Sequence, residues 1–225
     1  MPSRLRVKNV FGQRPVESLS KEAKSIYVIS IAGEGKTEEQ YFDGIYDMER
    51  SSLIRIERLE KADETDTKSH PNHVIDLLDE RKEQWETHGI APNELWMVVD
   101  RDKQNVSEEQ LNEIIDKCNN EGYNLALSNP TFEFWLLLHI TSIKEYDSDT
   151  LLENPKPRAK SKKRYIEKEL SKILGGYNKK KMRFEDFKLG ISDAIARAKE
   201  LECNNEHLIN KLGTSVCLLV EKLIK

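Results

Sequence analysis

The sequence predicts an α/β protein, a mainly parallel sheet flanked by helices and followed by a basic helical C-terminal appendage. Three observations carry that reading: short β-branched runs alternating with helix-period segments, a nearly all-apolar segment at residues 132–140, and a strongly basic stretch after Pro155. Strands that alternate with helices imply parallel pairing, with both sheet faces covered. At 225 residues the chain is long for one domain and short for two. The expected division is an arm over residues 1–24, a principal α/β domain over 25–142 and a basic helical region over 143–225.

Residues 1–24 show no sustained period. Residues 26–32 (Ile-Tyr-Val-Ile-Ser-Ile-Ala) form an apolar, β-branched run ending at Gly33, the pattern of a strand buried on both faces. A helix is predicted over residues 37–50, with Tyr41, Phe42, Ile45 and Met48 on one side and Glu38 and Glu39 in the first turn, where the helix dipole favours acids. Residues 53–59 alternate as a half-exposed strand does, and residues 61–69 read as a loop. A helix then carries Val74, Leu77, Leu78, Arg81 and Trp85 and stops near Gly89 and Pro92. A second buried strand, residues 95–99, ends abruptly at Asp100-Arg101-Asp102. A helix over residues 106–120 and a strand over 123–127 complete the alternation. The segment after Ser128-Asn129-Pro130 is apolar all round apart from Glu133, so that helix is expected to be buried. Pro155 and Pro157 mark a hinge, Gly175-Gly176 breaks the basic stretch, and helices over 184–202 and 214–224 are expected to form an appendage or a cover for the sheet.

Composition narrows the function classes. Hydrophobic residues are 37% and charged residues 34%, with a mean hydropathy of −0.68, which describes a heavily charged surface. No apolar run approaches the roughly 20 residues needed to span a bilayer, and residues 1–11 lack the continuous apolar stretch of a signal peptide. A cytoplasmic protein with no membrane partner is expected. Cys118, Cys203 and Cys217 are odd in number and contain no C-x-x-C, so reduced thiols are expected rather than a disulfide framework or a zinc knuckle. The net charge of −4 hides a division: residues 156–183 hold 12 Lys and Arg against 2 acids, whereas residues 1–155 hold 18 against 31. Segregated basic charge is the footprint of a phosphate-backbone binder, and a solvated helix and loop is the alternative. The candidate nucleic-acid contacts are Lys160, Lys162, Lys163, Arg164, Lys179, Lys180, Lys181 and Arg183, with Tyr165 and Tyr177 between them.

In open parallel sheets, ligands bind outside the carboxyl ends of the strands. Gly33-Glu34-Gly35-Lys36-Thr37 and Asp100-Arg101-Asp102 both follow strands and are expected to face each other there. Hard cations such as Mg²⁺ take oxygen ligands, commonly one or two carboxylates with water and phosphate oxygens. Glu34, Asp100 and Asp102 are therefore the candidate metal ligands and catalytic groups, although a D-x-D pair alone is common in surface loops. Gly35-Lys36-Thr37 resembles the end of a P-loop, but the glycine required five residues earlier is Ser30, inside the predicted strand. A nucleotide-cradling loop is therefore disfavoured, and Gly33 and Gly35 are read as the tight turn that projects Glu34.

Three blocks then resemble the RloB-like family of bacterial antiphage proteins: Gly33-Glu34-Gly35-Lys36-Thr37-Glu38-Glu39-Gln40-Tyr41-Phe42, Val98-Val99-Asp100-Arg101-Asp102, and residues 128–139, Ser-Asn-Pro-Thr-Phe-Glu-Phe-Trp-Leu-Leu-Leu-His. The resemblance covers residues 26–140 well and continues more loosely through the basic stretch and Leu212-Gly213-Thr214-Ser215-Val216. It implies a Toprim-like catalytic domain, in which a strand-end glutamate and a later D-x-D surround divalent metal; here those positions are Glu34, Asp100 and Asp102. It also implies a role in abortive infection and an RloA-like ATPase partner.

The expected chemistry is cleavage of RNA or DNA phosphodiester bonds assisted by Mg²⁺ or Mn²⁺, which would neutralise developing charge and position water. Glu34 is a ligand or a general acid/base. Glu38, one helical turn on, is a further ligand or a favourable first-turn acid. Glu133 is costly inside an apolar helix unless it is paired or ligating. Asn129 is read as part of a turn that caps the next helix, or as a substrate contact, and Lys36 as a phosphate contact or a plain surface lysine. His70 and His73 are read as capping or exposed, and His139 as a partly buried helix residue. A non-catalytic subunit that binds nucleic acid or protein is the competing reading. Strand passage and primer synthesis are disfavoured, since the chain is short for the accessory domains they need.

Overall fold

The structure, a computed structural model, describes residues 25–31, 35–49, 54–59, 71–87, 93–103 and 106–224. The expected arm over residues 1–24, the loop over 61–69, His70 and Glu34 lie outside the described residues, as does the His73 side chain.

The elements in chain order are β1 (Ser25–Ile31), α1 (Lys36–Met48), β2 (Ile54–Leu59), α2 (Pro71–Thr87), β3 (Glu94–Asp100), α3 (Glu108–Glu121), β4 (Asn124–Asn129), α4 (Phe132–Ile140), α5 (Ser148–Glu153), α6 (Tyr165–Ile173), α7 (Ile191–Lys199), α8 (Asn205–Leu208), β5 (Gly213–Thr214) and α9 (Val216–Leu223). Three short 3₁₀ turns, Lys179–Lys181, Phe184–Asp186 and Lys188–Gly190, lie between α6 and α7. The strands form an open mixed sheet in the order β2-β1-β3-β4-β5. β1 pairs in parallel with β2 and β3, β3 pairs in parallel with β4, and the two residues of β5 run antiparallel to β4.

The side-chain period of a strand divides the interior into two layers. Leu95, Met97 and Val99 of β3 point into one core with Leu111, Ile114, Ile115, Leu125 and Leu127. Trp96 and Val98 point into the other, with Ile29, Ile31, Tyr41, Phe42 and Ala126. α4 explains its own composition: Phe132, Phe134, Trp135, Leu136, Leu137 and Leu138 are all 0% exposed, because the helix lies between the sheet and the C-terminal helices α6 and α7. Each large apolar side chain buried in this way contributes roughly 1.5–3 kcal/mol. Of the two roles open to the C-terminal helices, the structure has a sheet cover: Ile191, Ala194, Val216, Leu219 and Val220 belong to the same core as α4 and β1.

Local signals explain the boundaries. α3 starts at a capping box, in which the Ser107 hydroxyl accepts from the Gln110 N–H at 3.2 Å and the Gln110 side chain accepts from the Ser107 N–H at 2.9 Å. It ends at Gly122, whose φ of 73° is left-handed. The helix expected over residues 184–202 forms only from Ile191. Gly190, at its N-terminal boundary, passes so near α4 that a Cβ there would lie 2.1 Å from the His139 carbonyl oxygen. β5 is a strand that two residues are too short to announce by period.

Candidate functional site

The carboxyl ends of β1, β3 and β4 lie side by side, with Ile31 opposite Val98 and Asp100 opposite Ser128. The chain continues past β3 without leaving its neighbour: Arg101 N–H donates to Ser128 O at 2.8 Å and Asp102 N–H to Pro130 O at 3.1 Å. That extension preserves the alternation of side chains. Arg101 turns away from its flanking aspartates, donating from Nε to Ile209 O at 2.9 Å and from Nη1 to Val106 O at 2.6 Å. The Asp102 charge acts on Asp100, and Asp102 Oδ1 lies 3.9 Å from Arg164 Nη2. The spacing of D-x-D thus has a mechanical meaning, with the middle residue anchoring the strand end.

Two helix starts complete the group. Gly35, left-handed at φ 55°, leads into α1, where a Cβ in its place would meet Ile31 Cγ2 at 2.6 Å. Ser30 is 1% exposed inside β1, consistent with a strand at the position where a P-loop needs its first glycine. Glu38 in the first turn of α1 and Glu133 in the first turn of α4 both act on Asp100. Burial first, then the charges of Glu38 and Glu133, raises the Asp100 carboxyl well above its ordinary range, while the Phe132 amide opposes the shift. Glu38 is pushed up to about 8 by burial and by Glu133. Asp100 Oδ1 is buried and has no hydrogen-bond partner among the described residues. Such a crowd of carboxylates is unfavourable without a compensating cation.

Part of that compensation comes from the segment joining α6 to α7. Burial disfavours charge on Lys179, but Glu133, Glu167, Asp100 and Glu38 outweigh it and hold the ammonium above its usual range. The segment is tied across α1: the Thr37 hydroxyl donates to Lys179 O at 3.0 Å and Gln40 Nε2 to Lys180 O at 3.3 Å. The Tyr177 hydroxyl donates to Glu133 Oε1 at 3.4 Å. Thr37 and Glu167 were not among the site residues expected from sequence, and Tyr177, expected within the nucleic-acid-binding stretch, instead meets Glu133. Only the acids in the first turns of α1 and α4, Glu38 and Glu133, hinted at a wider acidic group.

The other expected residues separate by position. Lys36 stands exposed at the start of α1. Asn129 does not cap α4 and does not face the acids. Its side chain is buried and donates from Nδ2 to Leu208 O at 2.7 Å, on α8, while Thr131 occupies the cap position. His139 is buried rather than partly so, at 4% exposure. Its Nδ1–H donates to Trp135 O at 2.9 Å, so Nε2 accepts from the Tyr41 hydroxyl at 3.0 Å, and burial lowers its pKa to about 4. Within the basic segment, Lys163 serves the fold, with Nζ donating to Tyr177 O at 2.6 Å and Ser171 Oγ at 2.8 Å. Arg183 is paired with Asp186 at 2.6 Å. Lys160, Lys162, Lys180 and Lys181 are exposed.

Among the described residues, no three His, Cys, Asp or Glu side chains are grouped so that they would hold a metal ion. Glu133 is near enough to raise the pKa of both Asp100 and Glu38, yet the acids are not gathered as a ligand set. The donor chemistry suits a hard cation, since the facing groups are carboxylates and Asp100 Oδ1 has no partner among the described residues. No helix among the described residues is long and apolar enough to cross a membrane.

Fold and site together define an α/β protein with an acidic group at the carboxyl ends of neighbouring parallel strands. A family model described as RloB-like protein matches residues 29–223. The chain belongs to the RloB-like family. No curated protein matches it, and no solved structure does.

Proposed function

We propose that this protein is a Toprim-like nuclease that cleaves RNA or DNA with Mg²⁺ or Mn²⁺, as an effector of abortive infection. The single observation that carries the proposal is the buried Asp100 carboxylate at a strand end, one oxygen without a partner among the described residues and within the electrostatic influence of Glu38 and Glu133. Asp100, Asp102 and Glu38, with Glu34, are the residues that would hold the cation. When bound, it would supply positive charge for the transition state and lower the pKa of a water. In the metal-free protein at neutral pH, Glu38 holds a proton on its carboxyl. Arg164 and Lys179 set positive charge beside the acids, which favours approach of a phosphodiester to an otherwise repulsive site. The exposed Lys160, Lys162, Lys180 and Lys181 extend that charge outward as a track for the nucleic-acid backbone. The same reading places the protein in the cytoplasm with an RloA-like ATPase partner.

The test is incubation of purified protein with labelled RNA and DNA and either cation. Cleavage that needs the cation and disappears in both Asp100→Asn and Asp102→Asn supports the proposal; cleavage that persists in both overturns the site. A second reading, a non-catalytic nucleic-acid-binding or protein-binding subunit, is favoured by Lys179, whose ammonium already offsets the acids. It predicts wild-type binding by Asp100→Asn and no cleavage by any form.

A further inference from the structure

Two of the three cysteines stand together, away from the acidic group. Cys203 Sγ and Cys217 Sγ are 3.6 Å apart. Cys203 lies in the turn after α7, partly exposed, and Cys217 in the first turn of α9 is fully buried. Cys118 sits in the other core, among Ile114, Leu125 and Leu127, so the sheet separates it from the pair. The surroundings hold both thiols in register. The Cys203 thiol donates to Ala198 O at 3.1 Å, and the single Cys217 S–H lies within reach of both Thr214 O, at 3.5 Å, and Cys203 Sγ. The turn itself is pinned, because Thr214 N–H donates to Glu202 O at 3.1 Å and Glu202 bridges Gly213.

We propose that Cys203 and Cys217 form a peroxide-reactive dithiol that closes to an intramolecular disulfide. The fold presents the pair asymmetrically, as such chemistry needs: the attacking residue is partly exposed, and the resolving cysteine is buried behind it. Directed at Cys203 instead of Thr214 O, the Cys217 S–H favours the thiolate at Cys203; burial and Glu202 oppose it, and the Lys199 ammonium supports it. The Cys203 thiolate attacks one oxygen of hydrogen peroxide and breaks the O–O bond. This gives a sulfenic acid and hydroxide, which takes a proton to become water. The Cys217 sulfur then attacks the sulfenic sulfur, loses its proton and expels the second water. Overall, two thiols and one peroxide give one disulfide and two waters. Closure to the roughly 2.05 Å of a disulfide bond asks for movement of the exposed turn rather than of α9. The bridge would fasten that turn to α9 beside β5, whose Thr214 and Gly213 pair with Ser128 and Asn129.

The experiment treats the full chain with dilute hydrogen peroxide and follows intact mass, thiol titre after denaturation and peptide maps. The expected result is a loss of about 2 Da, a fall from three titratable thiols to one, and a dithiothreitol-sensitive Cys203–Cys217 peptide. Cys118→Ser should keep the bridge, and Cys203→Ser should abolish it. Because Cys203 is partly exposed, that variant is expected to fold, which a matching circular dichroism spectrum checks. Three thiols unchanged, oxygen added at Cys203 with Cys217 still free, or a bridge between two chains would each overturn the proposal.

Discussion

Arg101 Nε donates to the carbonyl oxygen of Ile209 at 2.9 Å, across 108 positions of sequence. With Nη1 bound to Val106 O, this side chain, 3% exposed, links the end of β3 to two separate loops. Its removal would leave those carbonyls to find other partners in a buried place. Arg101→Met should lower unfolding free energy by roughly 2–4 kcal/mol, whereas Asp102→Asn, at a partly exposed carboxylate, should change it far less. Urea unfolding followed by tryptophan fluorescence measures both, and equal losses would refute the anchoring role.

The acidic group makes stability depend on pH in a defined direction. Glu38 is ordinarily near 4.5 and is raised to about 8 in the folded chain, so the folded state holds this proton more tightly than the unfolded one. The Glu38 contribution to the stability of the metal-free protein should therefore fall as pH rises from about 4.5 to about 8 and change no further above that. Because Glu38 is only partly buried by area, solvent screening holds its share to on the order of 1 kcal/mol. Denaturation from pH 5 to pH 8 should show the slope in wild type and a weaker one in Glu38→Gln. Mg²⁺ should stabilise more at pH 8 than at pH 5, since protons compete for the same oxygens.

Lys179 lowers the cost of the neighbouring negative charges. Lys179→Met keeps the length of the side chain and removes that charge. The Glu38 titration should then move to higher pH, as read by carbon NMR of labelled glutamate. A midpoint that stays or falls would show that the ammonium does not act on the group.

The basic segment should divide into surface and structural lysines. Lys180→Glu with Lys181→Glu should weaken nucleic-acid binding tenfold or more at about 0.1 M salt and flatten its salt dependence by roughly one unit per lost phosphate contact. Lys163→Met should instead lower the melting temperature, since Lys163 Nζ is bonded to Tyr177 O and Ser171 Oγ. Fluorescence anisotropy and thermal melts separate the two outcomes.

Much of this architecture was legible in the sequence, because it rests on local periods. The runs that became β1, β3 and β4, and the all-apolar α4, needed no knowledge of distant partners. The strand-end position of Asp100 and Asp102 followed from the abrupt end of the apolar run. What stayed hidden depends on contacts between distant segments. Nothing near Asn129 announces that its amide will meet the Leu208 carbonyl, 79 positions on. Likewise, Lys179 looked like one of several cations in a basic run, and only the fold lays it against Glu38 and Glu133. Gly190 gave no warning of a helix boundary, since its constraint is the His139 carbonyl of another helix.

The antiparallel edge strand has a consequence in time. Ser128 and Asn129 pair with Thr214 and Gly213, and Arg101 and Asn129 bind the carbonyls of residues 208 and 209. During synthesis, β1, β3 and β4 leave the ribosome well before any of these partners exist. The strand ends that carry the acids are thus completed by residues made 79 or more positions later. A nascent chain halted before them would carry the aspartates without the frame that holds them.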